Sequence, residues 1–228
     1  MSNQHKVGAI IVAAGESRRM GGLDKVFAPL GGRPVLARVL DAFDSCPSID
    51  QVVVVVSEKN LARCRKLIAE EKRSKPIEVC AGGRRRQDSV AAGLTKLKGC
   101  DWVIIHDCAR PLVTRDFIER GLREARETGA AVAAVPVTDT IKITDDDGIV
   151  LKTPARQNLW AVQTPQVFRF DIIARAYEQA KGEVTDDASL VERLGYKVKL
   201  YLGAYDNIKI TNPDDLALAE VLLQKHGK

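Results

Sequence analysis

Small and basic residues follow a short apolar segment near the start of the chain, and together they could bind a polyphosphate. Residues 7–12 form an apolar run that predicts a buried strand. The next three residues let a ligand approach the backbone amides closely; they are Ala13, Ala14 and Gly15. Positive charges follow at Arg18, Arg19 and Lys25. Amide donors beside such charges suit phosphate oxygens, although the stretch alone is also compatible with a solvated turn.

This loop matches neither of the familiar glycine-rich phosphate motifs. It contains no Gly-x-Gly-x-x-Gly and no Gly-x4-Gly-Lys-Ser/Thr. The missing glycine fingerprint argues against a nicotinamide-dependent oxidoreductase. The segment is therefore predicted to be another kind of nucleotide loop.

A second glycine-rich and basic segment, residues 82–90, joins a predicted strand to a predicted helix. Its two glycines permit an unusual backbone path, and the Ser89 hydroxyl can donate and accept hydrogen bonds to a base edge or ribose. The alternative is a tight turn followed by a solvated basic helix start. Residues 84–86 are all arginine, and positive charges at a helix N-terminus oppose the helix dipole, which makes that alternative less favourable.

An acidic residue and a lysine follow two other predicted strands. Asp107 ends the central strand, where a carboxylate can hold a Mg²⁺ that is also bound to phosphate oxygens. A cap on the next helix is the competing explanation for Asp107. His106 is interpreted as a structural hydrogen-bonding residue. Lys209 lies near the end of a late predicted strand, where a lone lysine is usually solvated. It becomes a candidate site residue because the first loop already requires positive charges that converge on it from a neighbouring edge.

The order of apolar runs and helical periodicities predicts the fold that positions these residues. Strands are expected at 7–12, 52–56, 77–80, 102–106, 130–135, near Val167, at 197–202 and at 207–210. Helices are expected around 36–43, 61–68, 90–97, 117–125 and 171–180, with Ser57 as an N-cap for the second, and a last helix capped by Asn212. The alternation predicts a doubly wound, mainly parallel α/β sheet covered on both faces. Such sheets bind ligands at the carboxyl ends of their strands, where the segments above lie.

The alternation breaks after Pro136. Residues 137–162 contain two β-like segments around the acidic turn 145–148 and predict a hairpin that projects from the sheet. A metal site at the acidic triplet is possible on residue type, but a solvated turn is preferred. A projecting hairpin indicates an arm that packs on a second subunit, so the active unit is expected to be a homodimer.

Composition narrows the class of partner. The 228 residues predict a single domain, 1–228, with 137–162 as its dimerisation arm. The formal charge of +5 is compatible with phosphorylated ligands, while only 5% aromatic residues and no basic helix argue against nucleic acid. No uncharged apolar stretch predicts a membrane span, and the first residues do not read as a signal peptide. Five widely spaced cysteines indicate reduced thiols, so a cytoplasmic location is expected.

Taken in order, these segments resemble the 2-C-methyl-D-erythritol 4-phosphate cytidylyltransferases over nearly the whole chain. The carriers are Ala13-Ala14-Gly15-x-x-Arg18-Arg19-Met20, Lys25 with Pro29-Leu30, Gly82-Gly83-x-x-Arg86-x-x-Ser89-Val90, His106-Asp107-x-Ala109-Arg110-Pro111, Asp139-Thr140-Ile141-Lys142, Thr164-Pro165-Gln166, Thr185-Asp186-Asp187-Ala188-Ser189 and Asp206-Asn207-Ile208-Lys209. The departures are Cys108, where alanine is common, and Arg84, where an acidic residue can occur. The resemblance implies a Rossmann-like nucleotidyltransferase fold and transfer of CMP from CTP to methylerythritol phosphate.

The resemblance also implies roles for individual residues. The nucleotide is bound by Ala13, Ala14, Gly15, Gly83, Arg84 and Ser89. The catalytic cations are Arg19, Lys25 and Lys209, with Arg18 supporting the loop, and Asp107 holds Mg²⁺ or another divalent cation. The acceptor is held by Arg110 and Thr185, together with Thr140, Arg156 and Thr164 from the partner's arm.

Two other functions compete with this interpretation. A ribitol-5-phosphate cytidylyltransferase would share the nucleotide half, but Ala109-Arg110 and residues 139–142 look more like the methylerythritol enzymes. A non-catalytic nucleotide-binding protein would be expected to lose Lys25, Asp107 or Lys209, and all three are present.

Overall fold

Strands and helices alternate along most of the chain in the computed structural model, which describes residues 5–15 and 20–225. The strands are β1 (Val7–Ala13), β2 (Pro29–Leu30), β3 (Arg33–Pro34), β4 (Gln51–Val56), β5 (Ile77–Ala81), β6 (Trp102–Asp107), β7 (Ala130–Pro136), β8 (Ile143–Thr144), β9 (Val150–Lys152), β10 (Trp160–Arg169) and β11 (Lys199–Leu202). The helices are α1 (Val35–Asp44), α2 (Leu61–Ala69), α3 (Arg86–Leu94), α4 (Arg115–Thr128), α5 (Phe170–Glu178), α6 (Ala188–Arg193) and α7 (Pro213–Lys225).

Seven strands form one mainly parallel sheet, as the sequence predicts. Their order is β11-β7-β10-β6-β1-β4-β5, and only β10 runs antiparallel to its neighbours. Helices α1, α2, α4 and α7 pack on one face and α3, α5 and α6 on the other, so the central strands are buried on both sides. This double burial explains the unbroken valine run 52–56, because all five of these positions are buried.

The carboxyl end of the sheet is where the structure corrects two expectations. Residues 207–210 do not form a strand; the segment is irregular and contacts the loop after β6 through Ile210 N, which donates to Ala109 O (2.8 Å). Ser57 precedes a short 3₁₀ turn, Glu58–Asn60, and its side chain caps no helix. The α7 start is as predicted, since Asn212 Oδ1 accepts from Asp215 N (2.9 Å).

Residues 137–162 leave the sheet as an exposed arm that returns through β10. Within it β8 and β9 pair antiparallel around a turn in which Gly148 has φ +80° and Asp145 Oδ1 accepts from Asp147 N and Ile149 N. The acidic triplet is thus a turn, as preferred from the sequence. The arm exposes apolar side chains, the most open being Leu151 at 66% and Ile149 at 65%.

Across residues 5–15 and 20–225, no helix is both long and apolar enough to cross a membrane.

Candidate active site

The loops that follow β1, β5 and β6 meet in one cleft at the carboxyl end of the sheet. The predicted residues that line it are Ala13, Ala14, Gly15, Lys25, Gly83, Arg84, Ser89, Asp107 and Lys209. Cys108 also lines the cleft, and burial raises the pKa of its thiol, which keeps it protonated. Arg18 and Arg19 lie outside the described residues.

Two glycines allow the loop after β5 to pack against its neighbours. A Cβ on Gly82 would lie 2.5 Å from both the Ala14 Cβ and the Ser89 Oγ, and one on Gly83 would lie 2.4 Å from the Asp88 Cβ. Any larger side chain at Gly82 would therefore push the two cleft loops apart. At Gly15, by contrast, a Cβ would meet nothing within 4 Å.

The arginines at the start of α3 are held by carboxylates, which answers the objection from the helix dipole. Arg85 pairs with Asp88 (2.6 Å), and Asp88 accepts from the Arg85 backbone N (3.0 Å), so its negative charge lies at the helix start. Arg86 points into the site instead. The Ser89 hydroxyl donates to Arg85 O (3.3 Å), and its contact with a nucleotide stays a prediction.

Asp107 sits between two cations at the end of β6. Its Oδ1 accepts from Arg86 Nε (3.0 Å) and its Oδ2 from Lys209 Nζ (2.6 Å). Burial would raise the pKa of this carboxyl, but the charges of Arg86 and Lys209 lower it well below its usual range. Asp107 does not cap the next helix, because Thr114 does so through Phe117 N (3.3 Å). The carboxylate is therefore ionised and faces the cleft.

His106 is a structural residue, as interpreted from the sequence. Its Nε2 lies 3.0 Å from Arg110 O and its Nδ1 lies 3.1 Å from Thr164 Oγ1, which in turn accepts from Asp107 N (3.1 Å). Because a carbonyl oxygen only accepts, Nε2 carries the proton and Nδ1 accepts from the hydroxyl. Burial lowers the pKa of His106 to about 4, so the ring is neutral at pH 7.

These contacts correct the expectation that Thr164 reaches over to a partner's site. Thr164 is buried in the sheet of its own subunit, where its hydroxyl links His106 to the Asp107 backbone. The arm was predicted to end at residue 162, and Thr164 lies beyond that limit in β10, which is already a central strand at this point.

A second pocket adjoins the first and is lined by Arg110, Thr164 and Thr185. Arg110 Nη1 donates to Asn207 O (2.6 Å), while its buried Nε has no hydrogen-bond partner among residues 5–15 and 20–225. Burial lowers the pKa of Arg110, but a guanidinium is not deprotonated in proteins, so the side chain remains charged at pH 7. An incompletely paired guanidinium suits an anionic ligand.

The two pockets share Arg86, Asp107 and Lys209. A ligand in one pocket would therefore lie beside a ligand in the other, with these three side chains between them. Such an arrangement permits group transfer between two bound molecules.

The described part of the chain supplies one carboxylate to the first cleft, that of Asp107. It contains no group of three or more metal-binding side chains. Mg²⁺ in nucleotide sites is commonly held by one or two carboxylates together with substrate phosphates. Each Asp107 oxygen accepts one hydrogen bond in the described contacts, so the donor set fits a cation that a polyphosphate brings with it.

Thr140 and Arg156 lie on the exposed arm and line neither pocket of their own chain. Arg156 Nη1 donates to Thr138 O within the arm. Their predicted contacts with an acceptor stay predictions.

Comparison with known proteins gives consistent matches to one family. A family model described as 2-C-methyl-D-erythritol 4-phosphate cytidylyltransferase matches residues 7–225. Relatives with that name from Dehalococcoides mccartyi and Caldanaerobacter subterraneus are 56% and 46% identical; each alignment covers 96% of this chain, and 97% and 99% of the relatives. The crystal structure of 4-diphosphocytidyl-2C-methyl-D-erythritol synthase from Anaerococcus prevotii superposes with a TM-score of 0.87 at 32% identity, over 97% of each chain.

Proposed function

Because this chain belongs to the 2-C-methyl-D-erythritol 4-phosphate cytidylyltransferase family, we propose that its two adjoining pockets carry out that reaction. The chain is a nucleotidyltransferase: it transfers CMP from CTP to methylerythritol phosphate and releases pyrophosphate, a step of non-mevalonate isoprenoid synthesis. We assign the reaction to these pockets because both are lined by Arg86, Asp107 and Lys209.

The reaction needs no general base. A phosphate monoester has its second pKa at about 6, so the attacking oxygen is largely deprotonated at pH 7. The structure of His106 is consistent with this, because both of its ring nitrogens are already hydrogen-bonded, Nε2 to Arg110 O and Nδ1 to Thr164 Oγ1. The obstacle is electrostatic, since two polyanions must approach, and preorganised positive charge lowers that barrier.

Positive charge is available on both sides of the reacting phosphate. Lys25 and Lys209 lie in the nucleotide cleft, where they stabilise the α-phosphate and the leaving pyrophosphate, together with Arg19. Arg110 and Thr185 hold the phosphate of the acceptor, with Thr164 beside them. Backbone and small side chains bind the cytosine and ribose; these residues are Ala13, Ala14, Gly15, Gly83, Arg84 and Ser89.

Mg²⁺ or another divalent cation completes the nucleotide site. Asp107 would hold it, because its carboxylate is ionised and faces the cleft. When bound, the cation supplies charge neutralisation on the phosphate oxygens. Lys209 Nζ donates to Asp107 Oδ2 (2.6 Å), which helps to orient the carboxylate.

The active unit is a homodimer in which each arm, residues 137–162, completes the partner's site. The support is the exposed apolar surface of the arm, which a second subunit would cover; its members include Ile143, Ile149, Val150 and Leu151. Thr140 and Arg156 then reach the partner's acceptor. The location is cytoplasmic, supported by five free cysteines, and no nucleic acid or membrane partner is proposed.

One assay tests the reaction: pyrophosphate release from CTP with each candidate acceptor. Methylerythritol phosphate should give faster turnover than ribitol 5-phosphate, and excess EDTA should abolish it. Equal or faster turnover with ribitol 5-phosphate would move the chain to the alternative acceptor. Nucleotide binding with no turnover on either acceptor would support a binding protein instead.

A further inference from the structure

A chain of hydrogen bonds runs from helix α5 to the residues that the two pockets share. Tyr177 Oη donates to Asp187 Oδ1 (2.6 Å), and Arg86 Nη2 donates to Asp187 Oδ2 (2.8 Å). Arg86 Nε donates to Asp107 Oδ1, whose second oxygen meets Lys209 Nζ. Neither Tyr177 nor Asp187 lines either pocket, and in the described contacts their side chains are linked to the shared residues through Arg86.

The Asp187 carboxylate is not used for the helix that it precedes. It lies at the start of α6 and makes no side-chain capping bond, whereas Asp186 Oδ1 accepts from Ser189 N (3.2 Å). Asp187 is nevertheless 0% exposed. A buried carboxylate is costly unless its oxygens are paired, and an apolar side chain of similar size often serves stability as well. Folding alone therefore gives little reason for an acid at this position.

Its two partners give a better reason. Arg86 bridges Asp187 and Asp107, and with Lys209 the four side chains carry two negative and two positive charges. Without the Asp187 charge, this group of side chains would carry one positive charge in excess. Arg86 has a long side chain, and its guanidinium fork pairs as readily with phosphate as with carboxylate. Without its bond to Asp187, the Arg86 guanidinium would pair with the phosphates of a bound triphosphate in place of Asp107.

We propose that Asp187 and Tyr177 are positioning residues, which hold the Arg86 guanidinium on Asp107 and so keep Asp107 and Lys209 oriented for cytidylyl transfer. This inference rests on the proposed function of the two pockets. Tyr177 fixes one oxygen of Asp187, and Asp187 fixes the end of Arg86 that is farther from Asp107. Arg86 Nε is then the only part of the guanidinium directed at Asp107 in the described contacts.

Two conservative variants test the proposal by their kinetics. Asp187→Asn should lower kcat about tenfold or more, since bonds to charged groups contribute about 1.5–3 kcal/mol. KM for CTP should not rise, because the excess positive charge favours bound triphosphate. Tyr177→Phe should lower kcat about threefold, as it removes one hydrogen bond. Asp171→Asn is the matched control: it also removes an acid bonded to arginine, Arg169, but on the exposed face of α5, and should leave kcat unchanged.

A double-mutant cycle separates positioning from general destabilisation. In an Asp107→Asn background, adding Asp187→Asn should lower kcat by less than about twofold, because contacting residues in one network are not additive. Independent, multiplicative losses would overturn the proposal. So would a loss of kcat that the unfolded fraction, measured by circular dichroism, accounts for entirely.

A measurement without turnover keeps the proposal separate from the proposed function. In ¹⁵N-labelled protein, the Arg86 Nε–H signal, assigned by its loss in Arg86→Lys, should be protected from solvent exchange. Asp187→Asn should remove that protection, and an unchanged signal would refute the positioning role. Unaltered protein that releases no pyrophosphate would refute the reaction instead, while the exchange result would still decide whether Asp187 holds Arg86.

Discussion

Protonation of His106 should make the fold sensitive to mild acid. Its pKa is lowered from 6.5 to about 4 by burial. Between these values the unfolded chain binds a proton that the folded chain excludes, so stability falls as the pH is lowered. For this pair of pKa values the loss from pH 7 to pH 5 is about 2 kcal/mol of unfolding free energy, and the full effect approaches about 3 kcal/mol near pH 4.

The carboxylates do not obscure this window. Depressed pKa values at Asp107 and Glu119 also favour the folded state at neutral pH, but their contribution is lost only as the pH falls below their unfolded values near 4. The interval from pH 7 to pH 5 therefore reports mainly on His106. For a chain of this length, 2 kcal/mol corresponds to a fall in Tm of about 4–8 °C.

The assay is urea unfolding at pH 7 and pH 5, for the unaltered protein, His106→Gln and His5→Gln. Glutamine cannot titrate, and its amide can donate to Arg110 O in place of Nε2. His106→Gln should therefore lose the pH dependence, although it will be less stable at pH 7. His5 is exposed, so His5→Gln should retain it. If His106→Gln keeps the full dependence, the neutral buried imidazole is not its source and the tautomer argument fails.

Four further outcomes follow from the site. Lys25→Ala should lower kcat about 10²–10³-fold with a smaller change in CTP affinity, and a change confined to KM would show uniform binding instead. Mixing inactive Lys25→Ala and Arg156→Ala subunits should restore activity, because one site of each heterodimer is intact; no recovery despite proven subunit exchange would exclude shared sites. Gly82→Ala should lower the free energy of unfolding, measured by thermal unfolding, by about 1–3 kcal/mol, because its Cβ would overlap Ala14 and Ser89. Gly15→Ala should lower it less, because a Cβ there meets nothing within 4 Å. Asp107→Asn should weaken the dependence of kcat on Mg²⁺ concentration, and an unchanged Mg²⁺ titration would argue against metal binding by Asp107.

Local patterns were sufficient for the sheet and for most of the cleft. The unbroken run of valines at 52–56 predicted a strand buried on both faces. The arm was predicted because a hairpin pattern stands where the alternation of strands and helices predicts a helix. Residues adjacent to strand ends were placed correctly because parallel strands bring their carboxyl ends to one edge. The same logic failed for residues 207–210, whose apolar alternation imitates a strand although the segment is held by Ala109 O rather than by a ladder.

The sequence does not predict which polar side chains are buried when their burial depends on contacts with distant segments. Asp186 and Asp187 are adjacent aspartates, yet their side chains have different partners. Asp186 accepts hydrogen bonds from Gln166 and Ser189, whereas the buried Asp187 accepts from Arg86. Which acid turns inward depends on the packing of α5 on α6, and Asp187 lies 101 residues after the arginine that it contacts. Tyr177 carries no local signal either, because an aromatic residue at helical spacing is ordinary core.

The irregular path of residues 207–210 has a consequence for the site. A regular strand at this edge would direct alternate side chains to the two faces of the sheet, so Lys209 would point along a face rather than across the strand ends. Ile210 N bonds to Ala109 O, and Asn207 O accepts from Arg110 Nη1, so the loop after β6 holds the segment at both ends. Lys209 is thereby presented to Asp107 by the same loop that carries Arg110. Arg110 and Lys209, to which the proposed function assigns the acceptor and the nucleotide, are thus held by one set of contacts, as a transfer between adjoining pockets would require.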